Sequence, residues 1–159
     1  MGSVVAKHNA KIMRNSATAV PRTPANCNCQ TSKKPDCPMP GKCNQDGVVY
    51  QATVTSDGGK SETYVGLAKN FKKRWSKHKF TLKDKNAEGG CTMSTYYHQE
   101  KDANRNPKVK FKYLEKNIQS FNSVTKNCRL CLREKYNIIF NPQLASLNER
   151  TEVLPIAGT

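Results

Sequence analysis

An α/β domain, with a three-stranded and mainly antiparallel sheet flanked by helices and a cysteine-rich extension in front, follows from three features of this 159-residue chain. Two runs rich in β-branched residues, VVYQATVT and SETYV, are separated by the turn residues SDGGK, the pattern of a β-hairpin. A third run, KVKFKY, alternates lysine with Val109, Phe111 and Tyr113, which gives one buried and one basic face. Three other segments, FKKRWSKHKF, the stretch from Thr92 to Asp102, and KNCRLCLREKYNIIF, have helical spacing. At 17.8 kDa the chain has room for one core.

Residues 1–26 hold few large apolar side chains and two prolines, Pro21 and Pro24, and are expected to form a flexible tail. Residues 27–46 contain CNCQTSKKPDCPMPGKC, in which no period builds a helix or strand, so something other than an apolar core must order it. The folded domain is expected over residues 47–154, and 155–159 form a short tail. In the hairpin, Val48 to Thr55 and Ser61 to Val65 are the strands. Tyr50 shares a face with Val48, Ala52 and Val54, and an odd-length loop brings Tyr64 to that same face. We predict the odd loop. Asn70 is placed to cap the first helix, where Phe71 and Trp75 form one i, i+4 pair and Arg74 and His78 a neighbouring one. Thr125 is expected to cap the last helix, which should end near Asn141 and Pro142. On it Leu130, Glu134 and Ile138 lie in one line, with Cys131, Leu132 and Ile139 widening the apolar arc. Glu134 therefore points where a hydrophobe belongs.

Charge sets the class of partner. Lys and Arg number 27 against 12 acidic residues, a formal net charge of +15, and mean hydropathy is −0.77. Such a surface suits a polyanion, whose binding falls steeply with salt as counterions are released. Lys69, Lys72, Lys73, Lys77 and Lys79 are the candidate phosphate contacts, although a lysine stripe is also an ordinary solvated face. No stretch approaches the roughly 20 apolar residues that cross a bilayer, so no membrane partner is expected.

Seven cysteines occur without a secretory segment at the N-terminus, so reduced thiols are expected. Cys27, Cys29, Cys37, Cys43, Cys128 and Cys131 have metal-ligand spacing and are candidates for a structural Zn²⁺, Cys37 and Cys43 foremost. Cys128 and Cys131 read equally well as small core residues. Cys91 is expected to stand apart.

A carboxylate on an apolar stripe needs a cation or an ion-pair partner. With two strand tyrosines, an arginine and a basic surface in the same chain, a hard cation for phosphodiester chemistry becomes the better reading. Here VVY, then YVG, then Arg74 and His78 spaced R-x-x-x-H, the helix residue Glu134 and the later Asn148 resemble the GIY-YIG nuclease family in order. CPMPGKC, CRLCLREKYNI and LASLNER are similar to endonuclease domains of Penelope-like retroelements. The resemblance covers residues 47 to about 152. It implies a metal-dependent DNA endonuclease, a nicking module of retroelement origin, acting on DNA inside the cell and in the nucleus, with no small-molecule substrate. It implies that Glu134 holds Mg²⁺ or Mn²⁺, that Tyr50 orients or deprotonates the attacking water, and that Tyr64 helps to position it. It implies that Arg74 clamps the scissile phosphate, that His78 accepts a proton or contacts phosphate, and that Asn148 supports the site through hydrogen bonds. For Tyr50 to act as a base, nearby cations should lower its pKa. The retroelement proteins continue into a Cys-Arg-His segment where this sequence reads VLPIAGT, so the alternative reading is a catalytically inactive, zinc-stapled nucleic-acid-binding remnant.

Overall fold

The structure is a computed structural model that describes residues 27, 29, 37–39, 41–119 and 128–148. The expected tails at 1–26 and 155–159, and the Thr125 cap, lie outside those residues. Strands β1 (Asp46–Thr55), β2 (Ser61–Asn70) and β3 (Lys108–Glu115) form one sheet in the order β2-β1-β3, antiparallel throughout. Helices α1 (Phe71–Lys83) and α2 (Thr92–Asp102) follow β2, and α3 (Arg129–Phe140) follows β3, ending in a 3₁₀ turn at Pro142–Leu144.

Thr55 pairs with Ser61, so the hairpin loop is 56–60, an odd length. Tyr50 then faces Gly66 while Ala52 faces Tyr64, and both phenols project from one side of the sheet, as parity requires. β2 runs five residues beyond the Val65 expected from the sequence, because Leu67, Ala68 and Asn70 continue the ladder with Val49, Val48 and Asp46. Asn70 then ends the strand and caps α1, its side chain accepting from the Lys73 backbone N–H at 3.1 Å.

The two sheet faces carry different cores. Val48, Tyr50, Ala52, Val54, Tyr64 and Ala68 pack with Phe71, Met93 and the cysteine-rich segment, joined by Trp75, Phe111 and Tyr113. On the opposite face Val49, Val65, Leu130, Ile138 and Ala145 form a smaller aliphatic cluster. A register shift between Val49 and Tyr50 makes Val49 pair with Glu115 and Tyr50 with Tyr113. This bulge, a device that re-aims a strand, brings Glu115 to α3, where it accepts from Arg133 Nε at 2.7 Å and Asn137 Nδ2 at 2.9 Å. Gly47 permits the start of β1: its φ is +56° and a Cβ there would meet the Ile118 carbonyl oxygen.

Helix α3 corrects two sequence expectations. It begins at Arg129 with Cys128 as its N-cap, and the apolar arc is narrower than anticipated. Leu132 and Ile139 are 58% and 49% exposed, because at about 100° per residue both stand roughly opposite Leu130 on the helix.

Candidate active site and thiol cluster

Tyr50 is the centre of the first site. Its side chain is completely buried, wedged edge-on against Phe71 at 5.2 Å between ring centroids. The phenol oxygen lies 3.2 Å from Arg74 Nε and 2.6 Å from His78 Nε2. The i, i+4 spacing on α1 delivers these two groups to one atom, and Asn70 fixes where that helix begins. Arg74 can only donate, so the phenol accepts from it, and with His78 protonated at Nδ1 the hydroxyl donates to Nε2. Burial, reinforced by the Arg74 charge, draws His78 down to about 4 and keeps it neutral, which suits an acceptor. Burial pushes Tyr50 up to about 12, outweighing the downward pull of Arg74. The balance among the protein's own groups is thus the reverse of the lowering that a phenolic base requires, because a buried phenolate loses more hydration than one guanidinium returns.

Tyr64 lies beside Tyr50, with burial again the main cause that raises its phenol. Gly66 explains how two rings share that space. A Cβ at Gly66 would stand 2.6 Å from the Tyr50 hydroxyl and 2.9 Å from Cε1 of Tyr64, so the second triplet needs glycine as a bare floor. Glu134 is half-buried on α3, the helix packed on the other face, yet its charge contributes to raising both phenols after the larger effect of burial. Asn148 binds neither phenol. Its Oδ1 accepts from Val65 N–H at 2.7 Å and its Nδ2 donates to the Val65 carbonyl at 2.9 Å, so it extends the edge of β2 between the two functional positions of the triplet.

Lys69, Lys72, Lys73, Lys77 and Lys79 are all exposed, on the end of β2 and along α1. Cys91 is a neighbour that sequence reasoning missed. It caps α2, its N–H donating to Ser94 Oγ at 2.9 Å, and its charge is among the smaller causes that raise both tyrosines after burial. Ser94 three residues on was the available signal for the cap; nothing in the sequence placed the cap beside the phenols.

The second site is the cysteine cluster. Sulfurs of Cys27, Cys29, Cys37 and Cys43 all lie within 4.8 Å of one another, with Cys27 and Cys37 3.6 Å apart and Cys29 and Cys43 3.4 Å apart. Four thiolates at about 2.3 Å from a tetrahedral ion stand roughly 3.8 Å apart, so this arrangement could hold a metal such as zinc. Backbone N–H groups at Cys29 and Cys43 draw the Cys27 thiol down to about 6, whereas burial pushes Cys43 up. Cys27, Met39 and Cys43 are buried in the same core as Tyr50, and the Tyr113 hydroxyl donates to the Lys42 carbonyl at 2.7 Å, fastening the segment to β3.

Cys128 and Cys131, also expected as zinc candidates, belong to neither site. They are joined in a disulfide, because a cap and the third helical residue bring two sulfurs together, and this corrects both the zinc assignment and the expectation that all thiols are reduced. Among the described residues the four clustered cysteines are the group of three or more side chains suited to a metal; Glu134 is a single carboxylate. No family model, curated protein or solved structure matches the chain.

Proposed function

We propose that this chain is a metal-dependent DNA endonuclease of the GIY-YIG type, a phosphodiester hydrolase that nicks DNA as a module of retroelement origin. The observation that carries the reading is the shared phenol oxygen of Tyr50, held by Arg74 on one side and His78 on the other. Neutral His78 can receive the hydrogen bond of the Tyr50 hydroxyl, and Tyr50, once its proton has passed to solvent at alkaline pH, is the group that would take a proton from water. Arg74 has further N–H donors beyond the one on Tyr50, and these would clamp the scissile phosphate and meet its developing charge. Tyr64 borders the same floor and orients the nucleophile.

Glu134 fits a Mg²⁺ or Mn²⁺ ion, since such ions are commonly held by one or two carboxylates with water and substrate phosphate completing the shell. When bound, the cation would polarise the phosphoryl oxygen and lower the pKa of coordinated water. The four clustered cysteines would hold Zn²⁺ as a staple for a segment whose sequence, CNCQTSKKPDCPMPGKC, offers few large apolar side chains. Elemental analysis of the purified protein should find a single zinc per chain, lost in Cys43→Ser together with much of its thermal stability; a metal-free wild type of unchanged stability would refute the staple.

Complete burial of Tyr50, with its phenol pushed up to about 12, favours a second reading: a binding remnant that keeps fold and charge without chemistry. Nicking of supercoiled plasmid with and without Mg²⁺, run beside Glu134→Ala, separates the two. Catalysis requires Mg²⁺-dependent nicking that falls about a hundred- to a thousandfold in the variant, since preorganised electrostatic groups contribute on that scale. The rate should also climb roughly tenfold per pH unit on the acid side of the Tyr50 ionisation. Salt-sensitive binding with no nicking at all is the signature of the remnant.

A further inference from the structure

Beside the phosphate clamp, α1 presents a groove of about 490 Å³ lined by Trp75, Lys79, Phe80, Leu82 and Lys83. Its composition is unusual for a solvated helix face. Phe80 is 59% exposed, an apolar ring left on the surface of a chain with net charge +15. Trp75 is half-buried, and Phe111 meets it edge-on at 5.2 Å and 72°, which fixes the plane of the indole. Lys79 and Lys83 are exposed on the same helix. Aromatic rings interleaved with lysines are the combination that takes single-stranded nucleic acid, because every base has a face to stack and every nucleotide a phosphate to neutralise. Phe111 meets Trp75 at 5.2 Å, His78 at 5.9 Å and Tyr50 at 6.1 Å between ring centroids, so the groove adjoins the candidate catalytic pocket.

From this placement we infer that the groove receives an unpaired base, and that the preferred substrate is DNA with single-stranded character next to the cleavage point. This deepens the nuclease reading and rests on it for the role of the bound strand, but binding itself requires no catalysis. A fully paired duplex keeps its bases stacked internally and offers only phosphates to this surface, and an acidic peptide supplies charge with no planar face for Trp75 and Phe80.

Trp75 is the only tryptophan in the chain, so its fluorescence reports directly on the groove. The full chain, in buffer without added divalent cation, is titrated with a single-stranded oligothymidylate, with a duplex of the same length and with a polyglutamate. The inference expects saturable quenching by the single strand, at least about tenfold tighter than binding of the duplex, with base stacking supplying the difference. Phe80→Ala should weaken single-strand binding about tenfold while leaving duplex binding unchanged, and Phe80→Tyr should restore it. Lys83→Ala should lower the log-log salt slope by about 0.7, the single-strand value per phosphate. Equal affinity for duplex and single strand, quenching by polyglutamate as strong as by the oligonucleotide, or indifference to Phe80→Ala would each overturn it. Single-strand selectivity without any Mg²⁺-dependent nicking would defeat the nuclease reading alone, whereas nicking without selectivity would defeat this inference alone.

Discussion

The face of the sheet that carries Tyr50 and the face that carries Val65 are built from alternate residues of the same strands, yet they are stabilised by different physics. On the first, a largely apolar core encloses the Tyr50 phenol and the His78 imidazole, which meet the half-buried Arg74 guanidinium at one oxygen. On the second, Val49, Val65, Leu130, Ile138 and Ala145 form a small aliphatic cluster. Burial of methyl groups is insensitive to pH, whereas a buried polar network is destabilising unless each member keeps its partner. Candidate chemistry and pH sensitivity therefore belong to one side, and much of the passive anchoring to the other.

Three substitutions test that division. The largest effect on stability is expected from Leu130→Ala. Leu130 is 1% exposed, and truncating a buried leucine costs about 2–5 kcal/mol. Denaturant unfolding should show that loss equally at pH 5 and pH 8, since no ionisable group is removed; a strongly pH-dependent loss would tie the aliphatic face to the polar one. Gly66→Ala comes next. The added methyl would stand 2.6 Å from the Tyr50 hydroxyl, an overpacking cost toward the upper end of about 1–3 kcal/mol. It should also displace Tyr50 from His78 and suppress any nicking, so a stable and fully active variant would contradict the shared floor.

His78→Gln has the smallest effect at neutral pH and the most specific one. Histidine has an ordinary pKa near 6.5, and burial first, then Arg74, lowers it here to about 4. The unfolded chain then binds more protons between those values, so His78's contribution is fully present above about pH 6.5 and is lost as pH falls toward 4. The differential is on the order of 3 kcal/mol, at about 1.4 kcal/mol per pKa unit. Unfolding measured from pH 7 to pH 4 should therefore be less pH-dependent in the glutamine variant. Curves that stay parallel to wild type would show that His78 does not carry the acid sensitivity.

The first face was the more legible in sequence. SDGGK and the β-branched runs declared the hairpin, loop parity brought Tyr50 and Tyr64 to one side, and Asn70 set the register of Arg74 and His78. Those are local rules with fixed periods. What escaped depended on distance in space. Asn148 was expected to support the site through hydrogen bonds, but that its partner is the backbone of a residue 83 positions earlier is announced by nothing in its neighbours. Cys128 and Cys131 share the spacing of zinc ligands, and only the assembled fold separates them from the four thiols near the N-terminus. Leu132 and Ile139 were expected inside because they are apolar, although their angular position on α3 turns them outward. The pKa of Tyr50 was misjudged for a related reason: charged neighbours can be counted along a chain, but burial cannot.

The two margins of the sheet are also unlike. Along β2, Ser146, Leu147 and Asn148 bond to Thr63 and Val65, so that margin is closed. Among the described residues no strand pairs with the outer margin of β3, and Lys108, Lys110 and Lys112 are exposed along it. A second molecule attempting to extend the sheet there would set ammonium against ammonium, which disfavours edge-to-edge growth. The same lysines that make the protein cationic thus guard it against fibrillar stacking, and high salt, by weakening that repulsion, should make concentrated solutions more prone to aggregate.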